Sequence, residues 1–546
     1  MVKRTSRLKI PKKYNQVVKT IQNSGAKIFL FPFHPILFAI YPILFLYNQN
    51  IKEVYLSETI IPLSISLISA TIILVSFNFV FKSINKAAFF SSLFIIIFFS
   101  HGHLHKLIGE RPFWIWSFKI GVDKTLFFVW VLLLTSTIFF LLRTRKKLLT
   151  FKITLNIVAI FLVLIPLSSI TLYELSSGRI LKRGYSEKTA KELTEDKRNP
   201  AGKNPDIYYL IFDSYAGNDT IEGLYKYDNS SFMNFLKERG FYIATKSNAN
   251  YAKSSLSLAS SLNIMFLNDL SQRAGNNSSE TLLYPLIEDN KVVSFLKSAG
   301  YNYYHVGSWW PPTSKNRNAT KSYQPNGVSY SDNFSSRLID TTALLPIIRV
   351  LFPNTVYWDD WERHYKIAIF QLNTLETVVN KRGPKFVFAH VLLPHGPFVF
   401  GKNCEYVSRG QLEKKPSRNG YLDQLSCTNK KIETLVDKIL EVSKEPPIII
   451  LQADEGGPFI KYKNNGNNYK DFNDETLKER YRIINAYYLP GVKDNHLYST
   501  ITPVNSFRLI FNLYFDKKLD LLPDKSYAYE NLDHLYKFFE ITERIN

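Results

Sequence analysis

The chain has 546 residues, a formal net charge of +22, 46% hydrophobic and 15% aromatic residues, and only two cysteines. That apolar content excludes a disordered chain, and two cysteines exclude a disulfide scaffold. No Gly-X-Y, heptad or longer fixed-period repeat runs through it, which excludes fibres and solenoids.

The charge is unevenly placed. A net +22 taken whole suggests nucleic acid. Residues 1–173, however, hold 20 Lys/Arg against four Asp/Glu, whereas residues 174–546 hold 48 against 42. The basic excess therefore lies among the long apolar runs, as in a membrane protein, and no nucleic-acid partner is expected. Five runs approach the roughly 20 residues that a bilayer requires: 28–47, 59–81, 87–104, 125–142 and 153–173. The segments before the first run and between runs two and three and runs four and five carry 15 Lys/Arg, and the other two connections carry five. The positive-inside rule then puts the N-terminus in the cytoplasm and everything after Tyr173 outside a plasma or inner membrane.

Residues 174–204 read as a polar, charge-dense linker or stalk, and 205–546 as one extracytoplasmic domain. That domain alternates strand-like apolar runs (206–213, 301–306, 385–391, 447–452, 483–489) with helix patterns (230–239, 292–298, 361–381, 422–442, 504–514). The alternation predicts an α/β fold with a mainly parallel sheet sandwiched by helices. Ligands of such sheets bind beyond the carboxyl ends of the strands. Three polar clusters stand at predicted strand ends: Asp213, the His395 loop and Asp454-Glu455. A fourth candidate is Asn250-Tyr-Ala-Lys253-Ser254-Ser255, where a serine would open a helix, a place that favours anions.

These residues together resemble the sulfatase-like branch of the alkaline phosphatase superfamily, in particular membrane-bound lipoteichoic acid synthases and phosphoethanolamine transferases. The resemblance implies an alkaline phosphatase-like catalytic domain. It implies Asp213, Ser254, Asp454 and Glu455 as metal ligands, Ser254 as nucleophile, and His395 as a phosphate contact or general acid–base. It also implies Lys253, Asn250, Trp309 and Trp310 as substrate-binding residues, with Arg317 in the place of a further arginine. Glu455 stands where the family has His, so all four ligands are oxygen donors, which favours Mn²⁺ or Mg²⁺ over Zn²⁺. No Cys/Ser-x-Pro-x-Arg follows Ala252, which argues against a formylglycine-dependent sulfate esterase.

The activity implied is transfer of a phosphoglycerol- or phosphoethanolamine-type group from a membrane lipid donor to a cell-surface glycan or lipid. A phosphate-ester hydrolase and a weakly catalytic polymer-binding domain are the alternatives. His390 reads as a strand-end histidine, and His101, His103 and His105 as interfacial structure, because only 101 and 105 share a helix face. Cys404 and Cys427 flank a basic loop outside the cytoplasm, where either a bridge or two buried thiols would persist.

Overall fold

The computed structural model describes residues 31–51, 54–109, 113–115, 118–144, 148–177, 204–275, 278–325, 333–351, 360–414, 416–458, 468–492 and 496–546. The chain divides into two compact units, one joining the N-terminal helices to Phe334–Pro353 and the other comprising Glu174–Asn333 and Asn354–Asn546.

In the first unit, apolar runs become helices α1 (His34–Gln49), α2 (Ile60–Phe81), α3 (Ile84–Ile108), α4 (Val122–Arg143) and α5 (Leu149–Ser177). Four of them, α2 to α5, are long and apolar enough to cross a membrane. In the described part of the first expected span, 28–47, the helix starts at His34, with Pro35 in its first turn. Its 16 residues rise about 24 Å, short of the roughly 30 Å hydrocarbon core, so among the described residues four helices rather than five meet the length. Most of the expected linker, 178–203, lies outside the described residues.

A further correction concerns 205–546, which is not one contiguous domain. Two eight-residue helices, α7 (Asn333–Asp340) and α8 (Leu344–Leu351), fold largely with the N-terminal helices. Phe334 and Leu338 pack with Ile43, Tyr47, Val163 and Ile170. Gly102 N–H donates to Thr341 O (2.9 Å) and Ala343 N–H to Phe98 O (2.9 Å), the two positions being i and i−4 of α3. A Cβ at Gly102 would come within 2.1 Å of Asp340 O, so only glycine permits this approach. Elsewhere on α3, the buried His101 ring receives the Trp130 indole N–H (3.2 Å) and lies 3.2 Å from Asp123.

The second unit is built on a seven-stranded sheet: β1 (Ile207–Phe212), β2 (Tyr242–Ile243), β3 (Asn302–Val306), β4 (Lys321–Tyr323), β5 (Lys385–Val391), β6 (Ile448–Gln452) and β7 (Asn485–Tyr488). Their order is β2-β7-β6-β1-β5-β3-β4. All neighbours are parallel except β7, which runs antiparallel to both β6 and β2. β1, β5 and β6 are buried along their whole length, which is why they read as unbroken apolar runs. Helices α6 (Ser254–Asn263), α9 (Asp360–Val378) and α10 (Ser417–Val442) are the ones that matter for the site. Cys404 and Cys427 are bonded, with their Cα atoms 5.0 Å apart.

Candidate active site

The strand order decides whether the strand-end clusters meet. β6, β1 and β5 are adjacent and parallel, with Ile211 level with both His390 and Gln452, so their carboxyl ends form one rim. Asp213 follows β1, Asp454 and Glu455 follow β6, and His395 follows β5. Asp213 N–H donates to Val391 O (3.0 Å), and His395 N–H donates back to Asp213 O (3.1 Å), which ties two of the strand ends together. Gln424 of α10 fixes the loop from outside by donating to Pro394 O and His395 O (3.1 and 2.7 Å).

Two groups at this rim bring their ligand atoms within 4.8 Å of one another: Asp213, His390 and Asp454, and Asp213, His395 and Glu455. The first is fully buried. His390 Nε2 lies 3.5 Å from Asp454 Oδ2 and 3.8 Å from Asp213 Oδ2. Among the described residues, neither His390 Nε2 nor Asp454 Oδ2 has a hydrogen-bond partner. Facing donor atoms left bare in a buried pocket are what a cation would satisfy. The other ring nitrogen of His390 is held by Thr313 Oγ1 (3.1 Å), itself bonded to Ser308 (2.8 Å), an outer contact of the kind that orients a ligating imidazole. Burial, then the charges of Asp454 and Glu455, push the Asp213 carboxyl well above the usual range. Burial drives Asp454 the same way, but His390 and Ser254 beside it hold its carboxyl below the usual range.

Ser254 is the first residue of α6, and its side chain lies beside Asp454, whose charged form it favours. Ser255 is turned inward and fully buried, with no hydrogen-bond partner for its hydroxyl. Lys253 turns to Glu280 (2.8 Å). Trp309 stands at the end of β3, its ring 6.5 Å from that of His395 and 4.5 Å from that of His364 on α9; Trp310 packs edge-on to His390 (5.6 Å). His395 Nδ1 is hydrogen-bonded to Gly396 O.

Three expectations change. Asn250 is not a substrate group: its amide donates to Lys525 O (2.9 Å) and accepts from Val504 N–H (2.9 Å), so it ties down the segment before α6. Arg317 is exposed and faces Glu288 and Asp289 (3.6 and 3.5 Å), outside the rim. The all-oxygen ligand set gains a nitrogen, because His390 sits with Asp213 and Asp454, not at a passive strand end. Arg480, which sequence reasoning missed, pairs with Glu455. Its only signal is a basic residue just before a predicted strand.

Residues 249–483 match the sulfatase family model. The match takes in Ser254, His390, His395, Asp454 and Glu455 and leaves out Asp213 and the N-terminal helices. No curated protein matches the chain in sequence. Among solved structures, the C-terminal periplasmic domain of EcEptC from Escherichia coli is similar at 12% identity and a TM-score of 0.41, covering 63% of this chain and 94% of that one. The corresponding domain of the phosphoethanolamine transferase EptC from Campylobacter jejuni is similar at 12% identity and 0.38, covering 59% and 92%. The 2-O GAG sulfatase BT1596 is similar at 14% identity and 0.38, covering 60% and 78%.

Proposed function

We propose that this chain is a membrane-anchored, metal-dependent transferase. It moves a phosphoglycerol- or phosphoethanolamine-type group from a lipid donor to a cell-surface glycan or lipid, through a covalent phospho-Ser254 intermediate. The observation that carries this reading is Ser254 at a helix start, its side chain beside Asp454 and the bare donor atoms of the Asp213–His390–Asp454 group. Asp213, His390, Asp454 and Ser254 would hold the ion, and their mixed nitrogen and oxygen donors suit Zn²⁺ or Mn²⁺ better than Mg²⁺. When bound, the ion supplies Lewis-acid polarisation of the phosphoryl group and a lowered pKa for the serine hydroxyl.

The rest is the work of the chain. Ser254 Oγ attacks phosphorus as the bond from phosphorus to the lipid oxygen breaks, and backbone N–H groups of the first turn of α6 favour the anionic group there. The proton that Ser254 gives up balances the one that the departing lipid hydroxyl takes. His395 would carry it. The Gly396 carbonyl can only accept, which fixes a proton on Nδ1 and leaves Nε2 for acid–base chemistry. In the second half, the acceptor hydroxyl gives its proton to His395 Nε2 and takes the group from Ser254. The apolar helices favour a lipid as donor, because they would tether the chain to the bilayer that holds it.

The test is peptide mass spectrometry of protein purified from its own membranes. Trypsin releases Ser254–Arg273, which contains no internal Lys or Arg. A mass increase on Ser254 that is absent from an Asp454→Ala variant supports the intermediate, and its size names the group. A peptide that stays unmodified after incubation with lipid extract and Zn²⁺ or Mn²⁺ counts against covalent transfer.

A further inference from the structure

The rim offers two cation positions that share Asp213, and the chain itself fills one. In the Asp213–His390–Asp454 group, two buried atoms have no hydrogen-bond partner. In the Asp213–His395–Glu455 group, both carboxylate oxygens of Glu455 are engaged. Oε1 accepts from the Ser214 hydroxyl (3.2 Å) and Oε2 pairs with the Arg480 guanidinium. That arginine is not a mobile surface group, since its side chain is 15% exposed and that of Glu455 is 4%. The backbone welds the pair in place: Gly456 N–H donates to Arg480 O (2.7 Å) and Gly457 N–H to Glu479 O (2.8 Å). A Cβ at Gly456 would meet Glu479 O at 2.4 Å, so the approach depends on glycine.

Charge counting leads to the same place. With a cation bound, Asp213, Asp454 and Glu455 contribute three negative charges and Arg480 one positive charge. Lys253 cancels Glu280 at 2.8 Å, and Glu479 accepts from the Tyr225 hydroxyl at 2.6 Å, on the far side of the Gly457 turn. The pocket therefore needs one divalent cation for neutrality. A second would stand against a fixed guanidinium in a buried setting, where like charges repel strongly.

We infer that Arg480 is a built-in counter-cation occupying the second position, so that the centre takes a single divalent ion on Asp213, His390 and Asp454 while Glu455 serves the arginine. This rests on the metal centre proposed above. It removes Glu455 from the ligand set expected from sequence and frees His395 from metal duty for proton transfer.

The experiment counts ions on the full-length protein in detergent. Metal-free protein is titrated with Zn²⁺ or Mn²⁺ against a chelator, and bound metal is counted by plasma mass spectrometry. The expected counts are one ion per chain for the wild type, two for Arg480→Met, and one for the charge-balanced Arg480→Met/Glu455→Gln, with affinity within tenfold of wild type. Two ions on the wild type overturn the inference. So does loss of the ion in a double variant that still melts cooperatively, because Glu455 would then be a ligand. If the single variant does not fold, the wild-type count and the double variant decide. Failure of the wild type to bind either ion instead removes the metal reading under Proposed function, so the two failures are distinguishable.

Discussion

Among the N-terminal helices, His34, Ser92 and Asn156 are buried and bonded. His34 Nδ1 meets Ser92 Oγ (2.6 Å), His34 N–H donates to Asn156 Oδ1 (3.1 Å), and Asn156 donates to Phe31 O (3.0 Å). At the sheet rim, His390 and Asp454 are buried as completely, yet their facing atoms have no hydrogen bond. Burying a polar atom without a partner costs about 1–3 kcal/mol. The first cluster avoids that cost and ties α1, α3 and α5 together. The second bears it among the described residues, and a bound cation would relieve it. Burial of polar residues therefore does not mark a site by itself; what marks it is burial with the hydrogen bonds left unmade.

The largest effect that would sharpen this contrast is on turnover. Ser254→Ala is expected to lower kcat by about 10³-fold or more, since a nucleophile has no substitute in the site. Helix α6 should survive, because Ala at its first position costs little. Steady-state transfer assays beside a thermal melt check both halves. A loss of less than tenfold would place the nucleophile elsewhere.

The next effect is on pH-dependent stability, and it comes from a polar group whose burial is structural. His305 is buried in β3, with Nδ1 3.2 Å from Ser322 Oγ. Burial, then the charge of His390, lower its pKa from 6.5 to about 3. The unfolded chain takes up a proton below pH 6.5 that the folded one refuses. The contribution is thus fully present above pH 6.5 and is lost as pH falls toward 3. Between pH 6.5 and 4.5 the loss is about 2 kcal/mol. His305→Gln, which keeps a hydrogen-bonding side chain, is expected to flatten that part of the curve in metal-free protein. An unchanged slope would mean that His305 does not set it.

Much of the second unit was legible because buried parallel strands have no polar face. β1, β5 and β6 stand out as apolar runs, and their ends point to Asp213, His395 and Asp454. The same feature hid His390. Inside a strand buried on both faces, no alternation tells which side a residue serves, and only the strand order brings its ring to Asp213. Arg480 was hidden for another reason: it comes from the end of the helix Asp474–Tyr481, 25 positions further along the chain, and is brought to Glu455 by backbone pairing. Helices α7 and α8 escaped because eight residues with one apolar face carry no span signal, although their partners lie some 170 to 300 residues earlier in the chain. The resemblance marks Asn250 as substrate-binding, but no sequence pattern tells that its amide is bonded to Lys525 and Val504.

The smallest effects test the comparison itself. Asn156→Leu leaves the His34 N–H and the Phe31 carbonyl without their partner, and is expected to cost about 1–3 kcal/mol while leaving transfer per folded molecule unchanged. His390→Phe removes a ring whose inward nitrogen had no hydrogen bond, so metal-free protein should change by less than about 1 kcal/mol. Ser308 remains to satisfy Thr313. The added stability that a ligand confers, about 2.7 kcal/mol at a hundredfold excess over Kd, should vanish in that variant and persist in Asn156→Leu. Thermal melts with and without Zn²⁺ read both. The contrast fails if metal-free His390→Phe is destabilised as much as Asn156→Leu, because His390 would then be holding the fold together just as the membrane cluster does.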